Sequence, residues 1–499
     1  MIAFLGSALL AGAQALPAQE PAATLSLSEA ITLARRNNPD FLATENDVRV
    51  ADWAVRDAYG SLLPGADVST SLSHQAAGQQ RFGIFTGEEL GLGSSTGYYS
   101  SSYRLGLTYQ LNGAALLAPS REKSNRRATI AGVEAAAFNL ESNVTRQYLA
   151  VLREQDNVVV TEQELARAQD NLRLAEARVS VQAAIPMEAK QAQVEVGRAE
   201  VALLQARNAV YTERLRLMQM LGIDIEAEVQ LTSRFEVTEL PYTREQLIGI
   251  ATESHPQLRA ARASEAAASM DVKMARTAYL PSLSMSVGWS GFTRSATNEN
   301  YLIDQARASM QSQQQSCNLL NQISAGLSTP LPNTPADCGS IVLTPDAEAE
   351  IRSSNSMFPF DFAAEPRSAS LTLSLPLFNG FQRERQMETA RVAERDAELR
   401  LRADELRLRT EVATAHANLE TARQSVALEE RNRELAGEQL ELARERYRVG
   451  VTNFIELQDA ETTKARADRA HLAALYNFHE ALAALEAAVG RNLRQAETR

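Results

Sequence analysis

The sequence is poor in the residues that catalysis and metal binding draw on. Its 499 residues include two cysteines and five histidines. His74, His255, His416, His471 and His479 stand far apart. They form no HExxH pair and no Cys/His cluster at zinc-ligand spacing, so they read as individual surface or seam residues. No GxSxG nucleophile elbow occurs. Only four of the 50 basic residues are lysines (Lys123, Lys190, Lys273 and Lys464), which leaves few candidates for a lysine-based site. Gly91-Leu-Gly-Ser-Ser-Thr-Gly97 has the glycines of a phosphate loop but neither its lysine nor the helix that should follow. The chain is expected to be no enzyme and to hold no cofactor or metal. With 62 acidic residues against 50 basic the net charge is -12, so nucleic acid is not an expected partner. Long apolar runs are missing too. Past the N-terminal segment none approaches the ~18 to 20 residues of a membrane-spanning helix. A membrane, if crossed, is crossed by strands.

Glycine (24), proline (16) and aromatics (6%) are also scarce, while Ala, Leu, Glu, Arg and Gln fill long stretches, which is the bias of long helices. Residues 1–18 read differently. An apolar stretch leads to Ala13-Gln-Ala15, the form of a secretory signal. The usual basic stretch before it is missing, so the true start is expected upstream of Met1, with cleavage near Ala15 or Ala18. No cysteine follows, and a lipid-modified N-terminus is not expected.

The remainder is a duplication. Asn38-Pro39 recurs as His255-Pro256 and Leu63-Pro64 as Leu280-Pro281, both 217 residues on. Arg178-Val-Ser-Val181 recurs as Arg446-Tyr-Arg-Val449 and Leu221-Gly222 as Val489-Gly490, both 268 residues on. The first repeat is predicted over 24–240, with strands near 62–73 and 101–111 and a long helical hairpin over 119–221. The second is predicted over 241–493, with strands near 280–290 and 368–377, a loop insertion over 291–367 and a hairpin over 381–489. The insertion accounts for the change of offset. Its Gln311-Ser-Gln-Gln-Gln315, several prolines and both cysteines read as an elaborated surface loop.

Ser282-Leu-Ser-Met-Ser-Val-Gly-Trp289, Ser368-Ala-Ser-Leu-Thr-Leu-Ser-Leu375, Tyr103-Arg-Leu-Gly-Leu-Thr-Tyr-Gln-Leu111 and Ala66-Asp-Val-Ser-Thr-Ser-Leu72 all alternate apolar with small polar residues. Such strands have one greasy face and one wet face. Transmembrane barrels use this pattern over ~9 to 11 residues. Four strands cannot close a barrel, so closure demands several chains. The helices carry a second period. Val144, Val151, Val158, Leu165, Leu172 and Val179 follow at strict sevens, and Val412, Leu419, Val426, Leu440 and Tyr447 repeat this with Arg433 as the exception. That is the seam of a left-handed supercoil. A periplasmic coiled-coil adaptor or structural rod is the alternative reading, but it leaves the strands and the signal unexplained.

Leu25-Ser-Leu-Ser-Glu-Ala30 with Asn38-Pro39, Tyr279-Leu-Pro-Ser-Leu283, Leu375-Pro-Leu-Phe-Asn-Gly-Phe381 and Tyr447-Arg-Val-Gly-Val-Thr-Asn-Phe-Ile-Glu-Leu-Gln-Asp459, in this order on a twofold repeat, resemble the TolC family of outer-membrane efflux and secretion channels. The likeness covers nearly all of the mature chain. It implies a mainly α chain whose long coiled-coil helices build an α-barrel tube. It also implies a homotrimer in which four strands per chain make a 12-stranded barrel in outer-membrane lipid. The implied function is an exit duct of a tripartite efflux pump or type I secretion system in a Gram-negative bacterium, with the helical tube in the periplasm. Its implied partners are a periplasmic adaptor and an inner-membrane transporter of RND, ABC or MFS type.

Two constellations carry site expectations. Cys317 and Cys338 share the insertion of an exported chain, which favours a disulfide over two free thiols. Glu456 and Asp459 lie at i and i+3 on one helical face just after Gly450, and Glu188 is the first-half counterpart of Glu456. By resemblance this acidic set rings a closed periplasmic gate, Tyr447 helps latch it, and the tip residues Val449, Gly450 and Val181 meet the adaptor. Thr452 stands where the best-known member has a latching arginine, and Gln182 stands where the second half has Gly450. The other reading of the acidic set is a solvated helix face.

Overall fold

In each repeat a polar cap starts the first helix and a proline breaks it. In the computed structural model Ser26 accepts from the Glu29 N–H at 3.3 Å and donates its own N–H to the Glu29 carboxylate at 2.7 Å. Thr243 and Gln246, 217 residues on, make the same reciprocal pair at 3.3 and 2.9 Å. These boxes open α1 (Leu27–Asn37) and α5 (Arg244–Ser254), and Pro39 and Pro256 open α2 (Pro39–Gly60) and α6 (Pro256–Arg276). The structure describes residues 23–78, 81–86, 96–224, 229–233, 235–329, 331, 337–356, 358–364 and 366–493. The signal segment 1–18 and most of the Gly91 to Gly97 loop lie outside them. β1 (Ala23–Leu25) precedes α1, and between the two openings run β2 (Gly65–Gln75), β3 (Arg81–Phe82), β4 (Phe85–Thr86), β5 (Tyr98–Leu111), α3 (Gly113–Ser180), α4 (Pro186–Leu221) and β6 (Val229–Leu231). After α6 come β7 (Ser282–Ala296), α7 (Glu299–Ala325), α8 (Pro345–Asn355), β8 (Ala363–Ala364), β9 (Ser368–Ser374), α9 (Gln382–Arg448) and α10 (Phe454–Val489). Among the described residues no helix is long and apolar enough to cross a membrane.

The chain divides into a helical unit (Met1–Arg56, Ser120–Lys273, Gln386–Arg499) and a strand unit (Asp57–Pro119, Met274–Arg385). The helical unit has two cores built on one plan. Ala30, Ala34, Val144, Val151, Leu217 and Leu221 fill the first. Their repeat counterparts Leu247, Ala251, Val412, Leu419, Leu485 and Val489 fill the second. The heptad positions of α3 and α9 thus supply the centre of each core. Tyr148, fully buried, ties the short parallel pair β1–β6 to the first core by donating its hydroxyl to the Leu25 carbonyl at 2.8 Å.

Both long hairpins end on a glycine in the left-handed region, Gly222 at φ 68 and Gly490 at φ 81. A Cβ on Gly222 would sit 2.4 Å from the Asn37 carbonyl oxygen, and one on Gly490 would sit 2.7 Å from His255 Cδ2, so only glycine lets these ends reach the Asn-Pro and His-Pro junctions. Asn38 donates to the Met220 carbonyl at 2.9 Å. His255 Nε2 meets the Ala487 carbonyl at 3.1 Å, and its Nδ1 accepts from the Gln257 N–H at 3.2 Å. A neutral ring protonated on Nε2 satisfies both. Burial holds the His255 pKa below its ordinary value, while the Ala487 carbonyl and Glu411 pull it up and Arg407 pushes it down. The unfolded chain therefore takes the proton more readily. The stability supplied here is complete above about pH 6.5 and is lost as pH falls. His255→Asn, which copies Asn38, is expected to flatten this acid loss in urea unfolding followed across that range; an unchanged slope would place it elsewhere.

In the strand unit β2, β5, β7 and β9 form one antiparallel sheet in that order. Register puts Val68, Leu105 and Trp289 side by side, and likewise Leu107, Val287 and Ala369, Tyr109, Met285 and Leu371, and Leu111, Leu283 and Leu373. That face is apolar and largely exposed, with Val68 at 77% and Leu373 at 71%. The opposite face is a ladder of hydroxyls, in which Ser71 bonds Ser102 at 2.8 Å, Ser73 bonds Ser100 at 2.7 Å and Ser286 bonds Ser370 at 2.7 Å. β2 and β9 are the edges. α2 ends, and α3 and α9 begin, at one end of this sheet, and the insertion leaves from the far end.

The structure corrects three expectations here. Residues 291–367 are not a loop, since β7 continues to Ala296 and α7 and α8 follow. Glutamine and alanine are good helix formers, Asn298 caps α7 by accepting from the Asn300 N–H at 3.1 Å, and no proline stands between Pro281 and Pro330. The first hairpin starts at Gly113 and not at 119, because Asn112 caps it by accepting from the Ala115 N–H at 2.8 Å and the helix carries Pro119 inside. The fourth strand begins at Ser368 as expected but ends at Ser374 and not at 377, where Pro376 has no N–H to extend the ladder. β8 pairs with β7 at Gly291 and Phe292, in a register one residue out of step with that of β9. The insertion also joins Cys317 to Cys338 in a disulfide with Cα atoms 5.7 Å apart.

Candidate hairpin-tip latch

The tips of the two helical hairpins are built alike and then joined. At the end of α3 the Ala183 N–H returns to the Arg178 carbonyl at 2.8 Å, and at the end of α9 the Val451 N–H returns to the Arg446 carbonyl at 2.9 Å. This closure requires a left-handed residue, supplied by Gln182 (φ 59) and Gly450 (φ 79). Asn453 caps α10 by accepting from the Glu456 N–H at 3.0 Å, whereas Ile185 at the matching place offers α4 no side-chain cap.

Tyr447, in the last turn of α9, is fully buried among Ala175, Ala192, Leu440, Ala443, Phe454 and Leu457. Its hydroxyl donates to Glu188 Oε2 at 2.7 Å. Burial, reinforced by the Glu188 carboxylate, raises the Tyr447 pKa well above the usual phenol range, so the group stays a donor. Arg178 completes the clip from α3. Its Nη1 donates to the Tyr447 carbonyl at 2.7 Å, its Nη2 to the Ala183 carbonyl at 3.0 Å, and its guanidinium lies 4.1 Å from the Tyr447 ring centre. One side chain thus holds the α3 turn, the end of α9 and the tyrosine face together.

Further along, Asn171 donates to Glu461 Oε1 at 2.7 Å, Gln458 donates to Glu195 Oε1 at 2.9 Å, and Arg167 pairs with Asp468 at 3.3 Å. These polar ties bind the first hairpin to α10 around a cavity of about 200 Å³.

The expected acidic set is divided among roles. Glu188 is the acceptor of the latch. Glu456 pairs with Arg446 at 2.9 Å and accepts from the Thr452 hydroxyl. Asp459 is exposed and has no side-chain partner among the described residues. Thr452 orients Glu456 and takes no part in the clip, where the arginine is Arg178. The repeat places Arg178 opposite Arg446, but nothing in the sequence says that one arginine crosses to the other hairpin. Around these groups the tips are apolar and open: Val181, Ile185, Met187, Val449, Val451 and Ile455 are each at least 60% exposed. No cluster of His, Cys, Asp or Glu able to hold a metal exists among the described residues.

Residues 30–223 and 343–491 match the family profile for outer membrane efflux proteins. The chain belongs to that family. As an outer membrane efflux protein it is located in the Gram-negative outer membrane, in a family of channel proteins. It is 25% identical over 284 residues to the pyoverdine export outer membrane protein OpmQ of Pseudomonas putida, a match spanning 55% of this chain and 59% of that relative. Its fold is that of the outer-membrane channel CmeC of Campylobacter jejuni, with TM-score 0.68 at 17% identity over 95% of this chain and 87% of that one. It is likewise that of the open state of the outer-membrane channel MtrE of Neisseria gonorrhoeae, with TM-score 0.66 at 19% identity over 95% and 91%.

Proposed function

We propose that three copies of this outer membrane efflux protein form an exit duct. In it each copy gives four staves to a 12-stranded barrel and two hairpins to a periplasmic tube. The observation that carries this is the sheet of the strand unit: one face of apolar side chains, the other of hydroxyls, and two open edges at β2 and β9. A soluble sheet would bury its apolar face; here lipid covers it and the hydroxyls line the lumen. The substrate arrives from an inner-membrane transporter of RND, ABC or MFS type through a periplasmic adaptor, which docks on the apolar hairpin tips at Val181, Val449 and Gly450. The name of OpmQ, a pyoverdine export outer membrane protein, supports the reading as an exit duct. The mass of the detergent-extracted protein tests the assembly: three chains are expected, and a monomer or dimer would overturn it.

The tip latch is the closed state of the entrance. Because Glu456 is paired with Arg446 and Glu188 is tied to the Tyr447 hydroxyl inside the latch, Asp459 is the exposed carboxylate of the set left without an ion pair among the described residues. Three such carboxylates around one axis attract cations. Asp459→Asn is therefore expected to weaken cation preference and block by multivalent cations in planar bilayers more than Glu456→Gln does. Equal effects, or none, would return Asp459 to an ordinary solvated face.

A further inference from the structure

The insertion does not simply project from the far end of the sheet. Asn355, at the end of α8, is pinned to the end of β7, accepting from the Ala296 N–H at 2.6 Å and donating to the Ala296 carbonyl at 3.2 Å. The chain then crosses the sheet. Phe358 packs on Tyr99 with ring centres 5.6 Å apart, Ser101 donates to the Pro359 carbonyl at 2.5 Å, and Phe362 meets Tyr103 edge-on at 5.0 Å. Tyr103 reaches Phe362 across Gly291, where a Cβ would lie 2.3 Å from the tyrosine ring and 3.0 Å from Phe362 Cβ.

Tyr99, Ser101 and Tyr103 lie on the same face of β5 as Leu105, Leu107, Tyr109 and Leu111, by the alternation of the strand. The crossing therefore runs over the apolar face and not over the hydroxyl face. It also explains why that face turns polar at Ser101 and Thr293. Both are buried, at 6% and 5% exposure, under protein. Phe360, at the turn between the two inward-packed phenylalanines, is left 82% exposed.

A second aromatic group stands at the helix-joined end of the sheet, where Leu280, Leu377, Phe378 and Phe381 are exposed and Phe378 meets Phe381 at 5.5 Å. Between Leu280 and Gly291, at ~3.3 Å per residue and a tilt of ~35 to 45°, the two groups stand about 25 to 30 Å apart, the height of an outer-membrane apolar band.

We propose that residues 358–362 are a membrane-interface anchor, in which the insertion reaches back over the lipid side of the sheet and sets Phe360 at the headgroup–acyl boundary of the outer leaflet. Exposed aromatic rings are favoured at that depth. The inference rests on the barrel reading, and the test separates the two. Three single-tryptophan proteins are compared in phospholipid vesicles: Phe360→Trp in a Trp53→Phe, Trp289→Phe background, Trp289 alone and Trp53 alone. Lipids brominated near the carbonyl or near the acyl terminus serve as quenchers, with acrylamide in the water phase. The tryptophan at 360 is expected to emit to the blue of Trp53 and to lose emission to the shallow label more than to the deep one. Trp289, two residues inside that boundary on the apolar face, is expected to lose emission to both lipid labels and to be shielded from acrylamide, and Trp53 to respond to acrylamide alone. Quenching at 360 by acrylamide alone would overturn the anchor, and so would shielding from all three, which would put a neighbouring subunit over it. If Trp289 is untouched by either lipid label, the barrel reading fails as well.

Discussion

Arg178→Ala combined with Tyr447→Phe is expected to open the periplasmic entrance and raise single-channel conductance in planar bilayers severalfold. The double change removes both guanidinium hydrogen bonds, the stacking on the tyrosine ring and the hydroxyl bond to Glu188. Each such bond contributes ~0.5 to 1.5 kcal/mol net, somewhat more where a charge is involved. In a trimer that opens in concert, losses of even ~1 to 2 kcal/mol per chain add to about 3 to 6 kcal/mol, which shifts a closed-to-open ratio by roughly a hundredfold or more. The helices themselves end on backbone bonds at Ala183 and Val451, so far-UV circular dichroism should not change. Wild-type conductance in the double variant, with the protein folded, would show that the clip does not hold the entrance.

Met285→Arg and Ser286→Arg, one residue apart on β7, should behave as opposites. Met285 lies with Tyr109 and Leu371 on the apolar face, and an arginine there near the bilayer midplane costs ~2 to 4 kcal/mol in each chain. Loss of the oligomer that resists unheated detergent electrophoresis is the expected outcome. Ser286 lies with Thr108 and Ser370 on the hydroxyl face, so its arginine meets water, leaves the oligomer intact and alters conductance. Equal tolerance of both would remove the assignment of faces on which the barrel rests.

The features legible in the sequence were the periodic ones. Alternation over Ser282 to Trp289 fixes which residues share a face, and sevens from Val144 and Val412 mark residues that prove to be the centres of the two cores. The shared offsets also pair the capping boxes at Ser26 and Thr243 and the left-handed ends at Gly222 and Gly490. What stayed hidden depends on contacts between distant segments. Arg178 acts on Tyr447 across the gap between hairpins, and the Glu456 to Arg446 pair spans a turn, so neither follows from spacing on one helix. The insertion misled for another reason. Its glutamines resemble low-complexity loop by composition, yet they are helix formers, and the prolines cluster after α7 rather than within it.

In the proposed trimer the unequal ladders of the sheet decide how the assembly comes apart. β5 and β7 pair over 14 residues and β2 pairs with β5 over 11, but β9 presents only seven. A seam between chains that uses β9 as one edge is shorter than either long ladder inside a chain. Heat should therefore part the seven-residue ladders on either side of β9 first and leave β2, β5 and β7 paired, so that subunit separation precedes loss of most strand structure. The same shortness leaves few unpaired backbone groups on the β9 edge before assembly, which limits the wrong partners that edge can take.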